Sequence, residues 1–276
     1  MNRSAAIILA CIAVALPRPA FAYRPFDSTD AAVAAKGEME LELGPLGFLK
    51  TGANRFLVSP GAIFNLGIAR DWELVLQGRH VILLDGMTSE PRFRLVDTGL
   101  FLKGVLLEGS LQEGYGPSVA MELGPLLPTI NGEPGVGATA TLIVSQHWKP
   151  LTLHVNGEVT LTRAGNLDLF GGAILEGPRD WVVRPRPAVE AFVEREFGAA
   201  SVVSGLAGAI WQLNEGLAFD LGLRAAVSIP TPLSRSAPVS PGPLPSGDPN
   251  EPSSYLIHLK EVVCTACVGP PPFRSS

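Results

Sequence analysis

The chain has 276 residues, of which 46% are hydrophobic and only 17% are charged. This composition excludes a disordered chain, because disordered chains combine low hydrophobicity with high charge. The 21 Lys and Arg residues are outnumbered by 26 Asp and Glu residues, so the basic surface that binds nucleic acid is missing. The length suits one large domain or two small ones.

The beginning of the chain has the organisation of a secretory signal peptide. Arg3 supplies a positive charge, residues 5–16 form a short apolar run, and residues 20–22 form a small-x-small cleavage site. The run is too short to span a bilayer as a helix. We therefore expect residues 1–22 to be removed on export. The alternative is a lipoprotein cleavage box ending at Cys11, although few apolar residues precede it.

After this leader, apolar and polar residues alternate in short stretches, and no apolar run is long enough for a helical membrane span. The clearest stretch is 151–162, in which Leu, Val and Gly alternate with Thr, His, Asn and Glu. A period of two is typical of a strand with one apolar and one polar face. In chain order, eleven strands are predicted at 38–43, 55–68, 72–79, 93–103, 118–126, 136–148, 151–162, 169–176, 188–197, 202–213 and 217–228. Their spacing predicts an all-β barrel or sandwich.

Several features favour a membrane barrel over a soluble sandwich. Short turns alternate with longer loops, as in outer-membrane barrels, although 107–115 and 177–185 are longer than this pattern expects. Strands of about 10 to 12 residues can cross a hydrocarbon core when tilted. Trp72 and Trp148 lie beside short turns, where an interfacial aromatic girdle occurs. In the soluble alternative, these tryptophans are core residues.

The polar faces hold the candidate functional residues. Lipid offers no water to the backbone, so only helices or closed sheets can cross it. A charge on the lipid face near the bilayer centre costs about 2–4 kcal/mol, so charged residues should point inward. The predicted lumen-lining residues are Glu40, Glu42, Arg79, Asp97, Lys103, His154, Glu158, Glu190, Glu194, Asp220 and Arg224. In a soluble sheet they would be ordinary solvent-facing residues.

Several segments together resemble a known family. They are residues 24–31, 37–42, 94–99, 192–197, 208–212 and 220–224. In these segments the chain resembles a family of bacterial outer-membrane β-barrel transporters of the meta-pathway phenol-degradation type. The resemblance covers about 24–227 and implies a transmembrane, antiparallel up-and-down barrel of about twelve strands. It implies no ligand residues, because the family's members are largely uncharacterised.

The C-terminal part departs from that pattern. We expect the barrel to occupy 23–229, followed by a Pro-rich tail at 230–276 that does not end in an aromatic strand. In one interpretation, the tail supplies a last strand at 254–263, and the residues before it form an outer loop. In the other, the tail is a frameshifted or replaced ending, and the barrel is incomplete at its last strand.

Motifs for chemistry are few, and we expect neither an enzyme nor a cofactor. A short turn at 149–150 places Ser145 opposite His154, but a hydrolase also needs an orienting group. Glu158 is about 13 Å from His154 by strand rise, which is too far. Cys264 and Cys267 form a single CxxC without the further ligands of a zinc site. We interpret them as two incidental thiols of the tail, either free or joined to each other by a disulfide.

The expected function is a porin-like pore or transporter in the outer membrane of a Gram-negative envelope. Twelve strands lie between small filled barrels and wide porins, so the lumen is expected to be narrow or partly plugged. The solute would be small and polar or amphipathic, and the family resemblance implies aromatic or hydrophobic compounds. The partners would be outer-membrane lipid and the outer-membrane assembly machinery. The alternatives are a structural barrel with a blocked lumen and a soluble periplasmic lipid-binding barrel.

Overall fold

The computed structural model describes residues 26–51, 54–84, 91–178, 185–197, 200–214, 217–229 and 257–268, which form one all-β sheet. The strands are β1 (Met39–Thr51), β2 (Asn54–Ala69), β3 (Trp72–Leu83), β4 (Phe93–Leu107), β5 (Ser118–Leu126), β6 (Gly137–Trp148), β7 (Leu151–Leu161), β8 (Leu167–Glu176), β9 (Arg186–Glu196), β10 (Ser201–Asn214), β11 (Leu217–Ile229) and β12 (Ile257–Val268). A single turn of 3-10 helix, Ser110–Gln112, separates β4 from β5. In the described part of the chain, no helix is long and apolar enough to cross a membrane.

The sheet has an up-and-down order. Each strand from β1 to β11 pairs antiparallel with the next one along the chain, and β12 then pairs with both β11 and β1. Gly222 and Gly47 mark this closure, since both are register partners of Val263 in β12. The predicted all-β, antiparallel, up-and-down fold is confirmed.

The C-terminal tail contributes to this sheet. The tail supplies the last strand, as in the first of the two interpretations. The strand spans Ile257–Val268 instead of the predicted 254–263. Cys264 and Cys267 both lie in it. Residues 1–25, 230–256 and 269–276 lie outside the described part of the chain, and with them the predicted signal peptide.

Several strands are longer than the alternation predicted, because irregularities interrupt the pattern. β1 was predicted to end at 43 but continues to Thr51, and its register with β12 shifts between Leu43 and Leu46. A bulge adds one residue to one strand, which inverts the side-chain alternation beyond it. A search for strict period two therefore ends a strand too early.

Polar side chains fill the interior, and apolar side chains cover the exterior. In β7, Thr152, His154 and Asn156 are buried, whereas Val155 and Val159 are about half exposed. The period of two sends successive side chains to opposite faces, so one strand builds both surfaces. This is the reverse of a soluble sandwich, in which the apolar faces of two sheets meet.

Candidate functional site

The barrel interior contains the segment that precedes β1. Residues 26–36, which we call the plug, run inside the barrel instead of along its outer surface. Phe26, Ser28, Asp30, Ala31 and Ala34 are all buried. The sequence did not predict this segment, because it shows no regular alternation.

Side chains of the wall bind the first residues of the plug through its backbone. The Glu190 carboxylate in β9 accepts hydrogen bonds from Asp27 N at 3.0 Å and from Ser28 N at 2.8 Å. Asn156 in β7 pairs with Thr29 in both directions, since its Oδ1 accepts from Thr29 N and its Nδ2 donates to Thr29 O, each at 2.8 Å. These contacts satisfy buried backbone groups that have no strand partner.

The second half of the plug is held in the same way, by β6, by the turn before β5 and by β3. Ala31 N donates to Ser145 Oγ in β6 at 3.0 Å, and Ala31 O accepts from Gln112 Nε2 at 2.9 Å. Ala34 N donates to Glu73 Oε2 in β3 at 2.6 Å. The plug therefore crosses the lumen from β9 to β3. It lies near the end of the barrel at which the short turns 70–71 and 149–150 join the strands.

Two glycines of the wall make room for the plug. A Cβ atom on Gly67 in β2 would lie 2.1 Å from Ala35 O, and one on Gly172 in β8 would lie 2.3 Å from Ser28 Oγ. The distance at Gly67 is to a backbone oxygen and is too short for any side chain, whereas the atom facing Gly172 is the end of a serine side chain, which can rotate away.

Apolar contacts also hold the plug. Phe26 packs in a buried cluster with Ile174, Ala188, Leu206 and Ile210 of β8, β9 and β10. A second buried cluster joins a plug alanine to β5 and β6; its members are Ala31, Ala120 and Ile143. The small side chain of alanine suits the narrow space between the strands.

A buried charge cluster lies between the plug and β3 and β4. Lys103 Nζ is 3.3 Å from Glu73 Oε1 and 3.9 Å from Asp30 Oδ1, and all three side chains are buried. Burial raises the pKa of Asp30 from 3.8 to about 6, although the nearby Lys103 ammonium lowers it. Glu73 and Glu42 also face Asp30 and raise its pKa further.

This raised pKa predicts a pH dependence of stability. The folded protein keeps the Asp30 proton up to about pH 6, whereas the unfolded chain loses it near pH 4. The folded state therefore binds more protons in this window, and the contribution of Asp30 to stability decreases as the pH rises from about 4 to about 6. We expect Asp30→Asn to flatten this slope in chemical denaturation, whereas Asp71→Asn in a turn should not. If the slope of stability against pH were unchanged in Asp30→Asn, Asp30 would not be the group that causes it.

Ser145 and His154 are register partners, as the short turn predicted, and Ser145 Oγ lies 2.8 Å from His154 Nδ1. The sequence missed a third member, Glu176 in β8, whose Oε1 is 3.8 Å from His154 Nε2. Arg186 Nε lies 3.4 Å from the other Glu176 oxygen. Ser145, His154 and Glu176 thus form a fully buried row across three strands. Ser145 Oγ also accepts a hydrogen bond from the Ala31 amide of the plug. The row therefore contacts the plug through the Ser145 hydroxyl.

A cavity of about 480 Å³ adjoins the plug and extends along the inner wall. Its lining includes the apolar residues Ile63, Val75, Phe101, Leu126 and Phe170. It also includes ten carboxyl side chains, namely Asp27, Asp30, Glu38, Glu40, Glu42, Glu73, Asp97, Glu122, Glu158 and Glu194. Among the residues that the structure describes, two basic side chains line it, Arg79 and Lys103. The cavity is therefore strongly acidic, with apolar patches.

The structure places the predicted lumen-lining residues in two groups. Those that border the cavity are Glu40, Glu42, Arg79, Asp97, Lys103, Glu158 and Glu194. The others lie within the wall or against the plug: His154, Glu190, Asp220 and Arg224. Arg79 forms an ion pair with Asp97 across the β3–β4 bulge. Arg224 Nη1 is 2.8 Å from Asp27 Oδ2 of the plug, and its guanidinium covers the Phe192 ring at 4.4 Å.

Aromatic side chains are exposed at both ends of the barrel. Trp72 begins β3 and Trp148 ends β6 beside the short turns, and both are exposed. The Trp72 ring lies against Gly104 of the neighbouring strand. The sequence missed two exposed aromatic residues at the opposite end, Phe93 at the start of β4 and Phe197 just after β9.

Comparison with known proteins gives no further assignment, since neither a protein-family model nor a curated protein matches the chain. Within the residues that the structure describes, no group of three or more His, Cys, Asp or Glu side chains is arranged to hold a metal ion.

Proposed function

We propose that the chain is an outer-membrane barrel that passes small cationic or amphipathic solutes through its lumen. The observation that carries this proposal is the cavity, which the described part of the chain lines with ten carboxyl groups and two basic groups beside apolar side chains. Rings of Asp and Glu side chains favour cations in channels, because their negative charge attracts cations and repels anions.

The exterior of the barrel supports a membrane location. Leu, Val and Ile side chains are exposed along the strands, for example Leu142, Val155 and Leu223. Soluble proteins rarely expose large continuous apolar surfaces. Exposed aromatic residues at both ends, among them Trp148 and Phe197, fit the two girdles of an outer-membrane barrel. The predicted signal peptide supports export.

We infer the class of solute from two sources, the charge of the cavity and the family resemblance. The resemblance supports aromatic or hydrophobic compounds, and the carboxyl groups favour a positive charge. Phe101 and Phe170 at the cavity wall provide faces that attract cations. Small ammonium compounds with an aromatic or aliphatic part agree with the resemblance, and both the carboxyl groups and the phenylalanine rings would attract them.

Planar-bilayer recording of the refolded full chain tests this function. We expect intermittent, cation-selective currents under a KCl gradient. Glu40→Gln combined with Glu42→Gln should reduce the cation-to-anion permeability ratio, because both carboxyl groups line the cavity. Glu113→Gln is the matched control, since Glu113 is exposed in the β4–β5 turn and lies outside the cavity lining. Anion selectivity, or no current from this protein and from the plug variants below, would contradict the proposal.

A structural barrel with a blocked lumen is the second candidate, and the plug is the observation that favours it. Its hydrogen bonds to Glu190, Asn156, Ser145 and Glu73 close the lumen from several sides. A deletion strain with normal permeability but a weakened envelope would support this alternative. The lipid-binding alternative loses support, because the cavity is too acidic for a lipid tail.

A further inference from the structure

The plug closes one end of the lumen without belonging to the sheet. Every strand of the described barrel already has a hydrogen-bonded neighbour on each side. The plug amides of Asp27, Ala31 and Ala34 donate to wall side chains, not to strand carbonyls. The backbone pairing of the barrel is therefore complete whether the plug is inside or outside.

The groups that hold the plug are ones that water can also satisfy. They are two carboxylates, two amides, a hydroxyl and two cations, and Glu73, Asn156 and Lys103 among them already border the cavity. If the plug leaves, water that enters from the cavity can hydrogen-bond to these groups. Release then leaves no buried polar group without a partner, which would otherwise oppose it strongly.

We propose that the plug is a gate, and that its release connects the cavity with the end of the lumen at the short turns. This inference rests on the pore proposed above. Phe26 and Ala31 favour the closed state, because release would expose the two apolar clusters to water. The plugged barrel is thus the resting state, and solutes pass during the minor population in which the plug is displaced.

A reversible cross-link tests whether the plug must move. Because a Cβ atom on Gly172 would point at Ser28 Oγ from 2.3 Å, cysteines at these two positions face each other. We expect Ser28→Cys with Gly172→Cys to form a disulfide in a chain whose Cys11, Cys264 and Cys267 are replaced by serine. Cation currents should disappear on oxidation and return with dithiothreitol. Ser28→Cys alone is the matched control, and oxidation should not change its currents.

Removing Glu190 and Asn156, which we call the anchors of the plug, provides the opposite test. Glu190→Ala with Asn156→Ala removes the partners of three plug amides. The fraction of time in the conducting state should rise about tenfold or more, since each lost hydrogen bond shifts the equilibrium several-fold. Glu113→Ala, in the exposed turn, should leave it unchanged. A separate readout, alkylation of Ser28→Cys in the folded barrel by a maleimide, should accelerate in the anchor variant.

The outcomes separate the gate from the pore. Currents that persist in the oxidised, cross-linked protein would overturn the gate and leave the pore standing. No current from any variant would overturn the pore. An alkylation rate that is the same with and without the anchors would overturn plug release, whether or not current flows. Heat-dependent electrophoretic mobility confirms that each variant forms a folded barrel.

Discussion

Replacing Leu142 by arginine is expected to lower the free energy of unfolding in a lipid bilayer by about 2–4 kcal/mol. Leu142 lies in the middle of β6, and 51% of it is exposed on the outer surface. In the proposed membrane this position faces hydrocarbon, where a guanidinium group loses water and finds no partner. Denaturant unfolding of barrels refolded in phospholipid vesicles measures the effect.

Leu161→Arg is the matched control for depth. Leu161 is 49% exposed, almost as much as Leu142, but it ends β7 beside a longer loop. Near the bilayer interface the same substitution costs only about 0–1 kcal/mol. A soluble barrel would tolerate both changes equally, so similar small losses at the two positions would refute the membrane location.

Replacing Lys103 by methionine is expected to destabilise the barrel by about 3–5 kcal/mol, because it removes one partner of a buried ion pair. Lys103 is 5% exposed and faces Glu73 and Asp30 at 3.3 Å and 3.9 Å. Methionine keeps most of the volume but leaves both carboxyl groups without their cation. Denaturant unfolding at neutral pH measures the loss.

An exposed ion pair provides the comparison. Arg70 Nη2 lies 2.7 Å from Glu108 Oε1, and the arginine side chain is 81% exposed. Arg70→Met should cost about 0–1 kcal/mol, since solvent screens such pairs. Adding Glu73→Gln to the Lys103→Met variant should recover part of the loss. Equal losses of stability in Lys103→Met and Arg70→Met would contradict the prediction that the buried ion pair matters more than the exposed one.

Alternation predicted the strands well where they are regular. β7 was predicted at 151–162 and spans Leu151–Leu161, and β11 was predicted at 217–228 and spans Leu217–Ile229. The pattern succeeds because side-chain direction in a strand depends only on neighbouring residues. It fails in β1, where the predicted strand stopped at 43 but the observed strand continues to Thr51 beyond a register shift between Leu43 and Leu46.

Register across a short turn was also predictable. A turn of two residues fixes which positions face each other, so Ser145 was placed opposite His154. Glu176 was missed because it lies beyond a longer loop, whose conformation determines the register of β8. The sequence could not show that this carboxylate reaches the same histidine.

The sequence by itself determined the strand-rich fold, the short turns and which side chains share a face of each strand. Only the tertiary structure decided that residues 26–36 occupy the lumen. Their partners lie far away in the chain, 39 positions for Ala34 and Glu73 and 163 for Asp27 and Glu190. The physical reason is that an irregular segment carries no local periodic signal, and its place depends on side chains that come together only when the sheet closes.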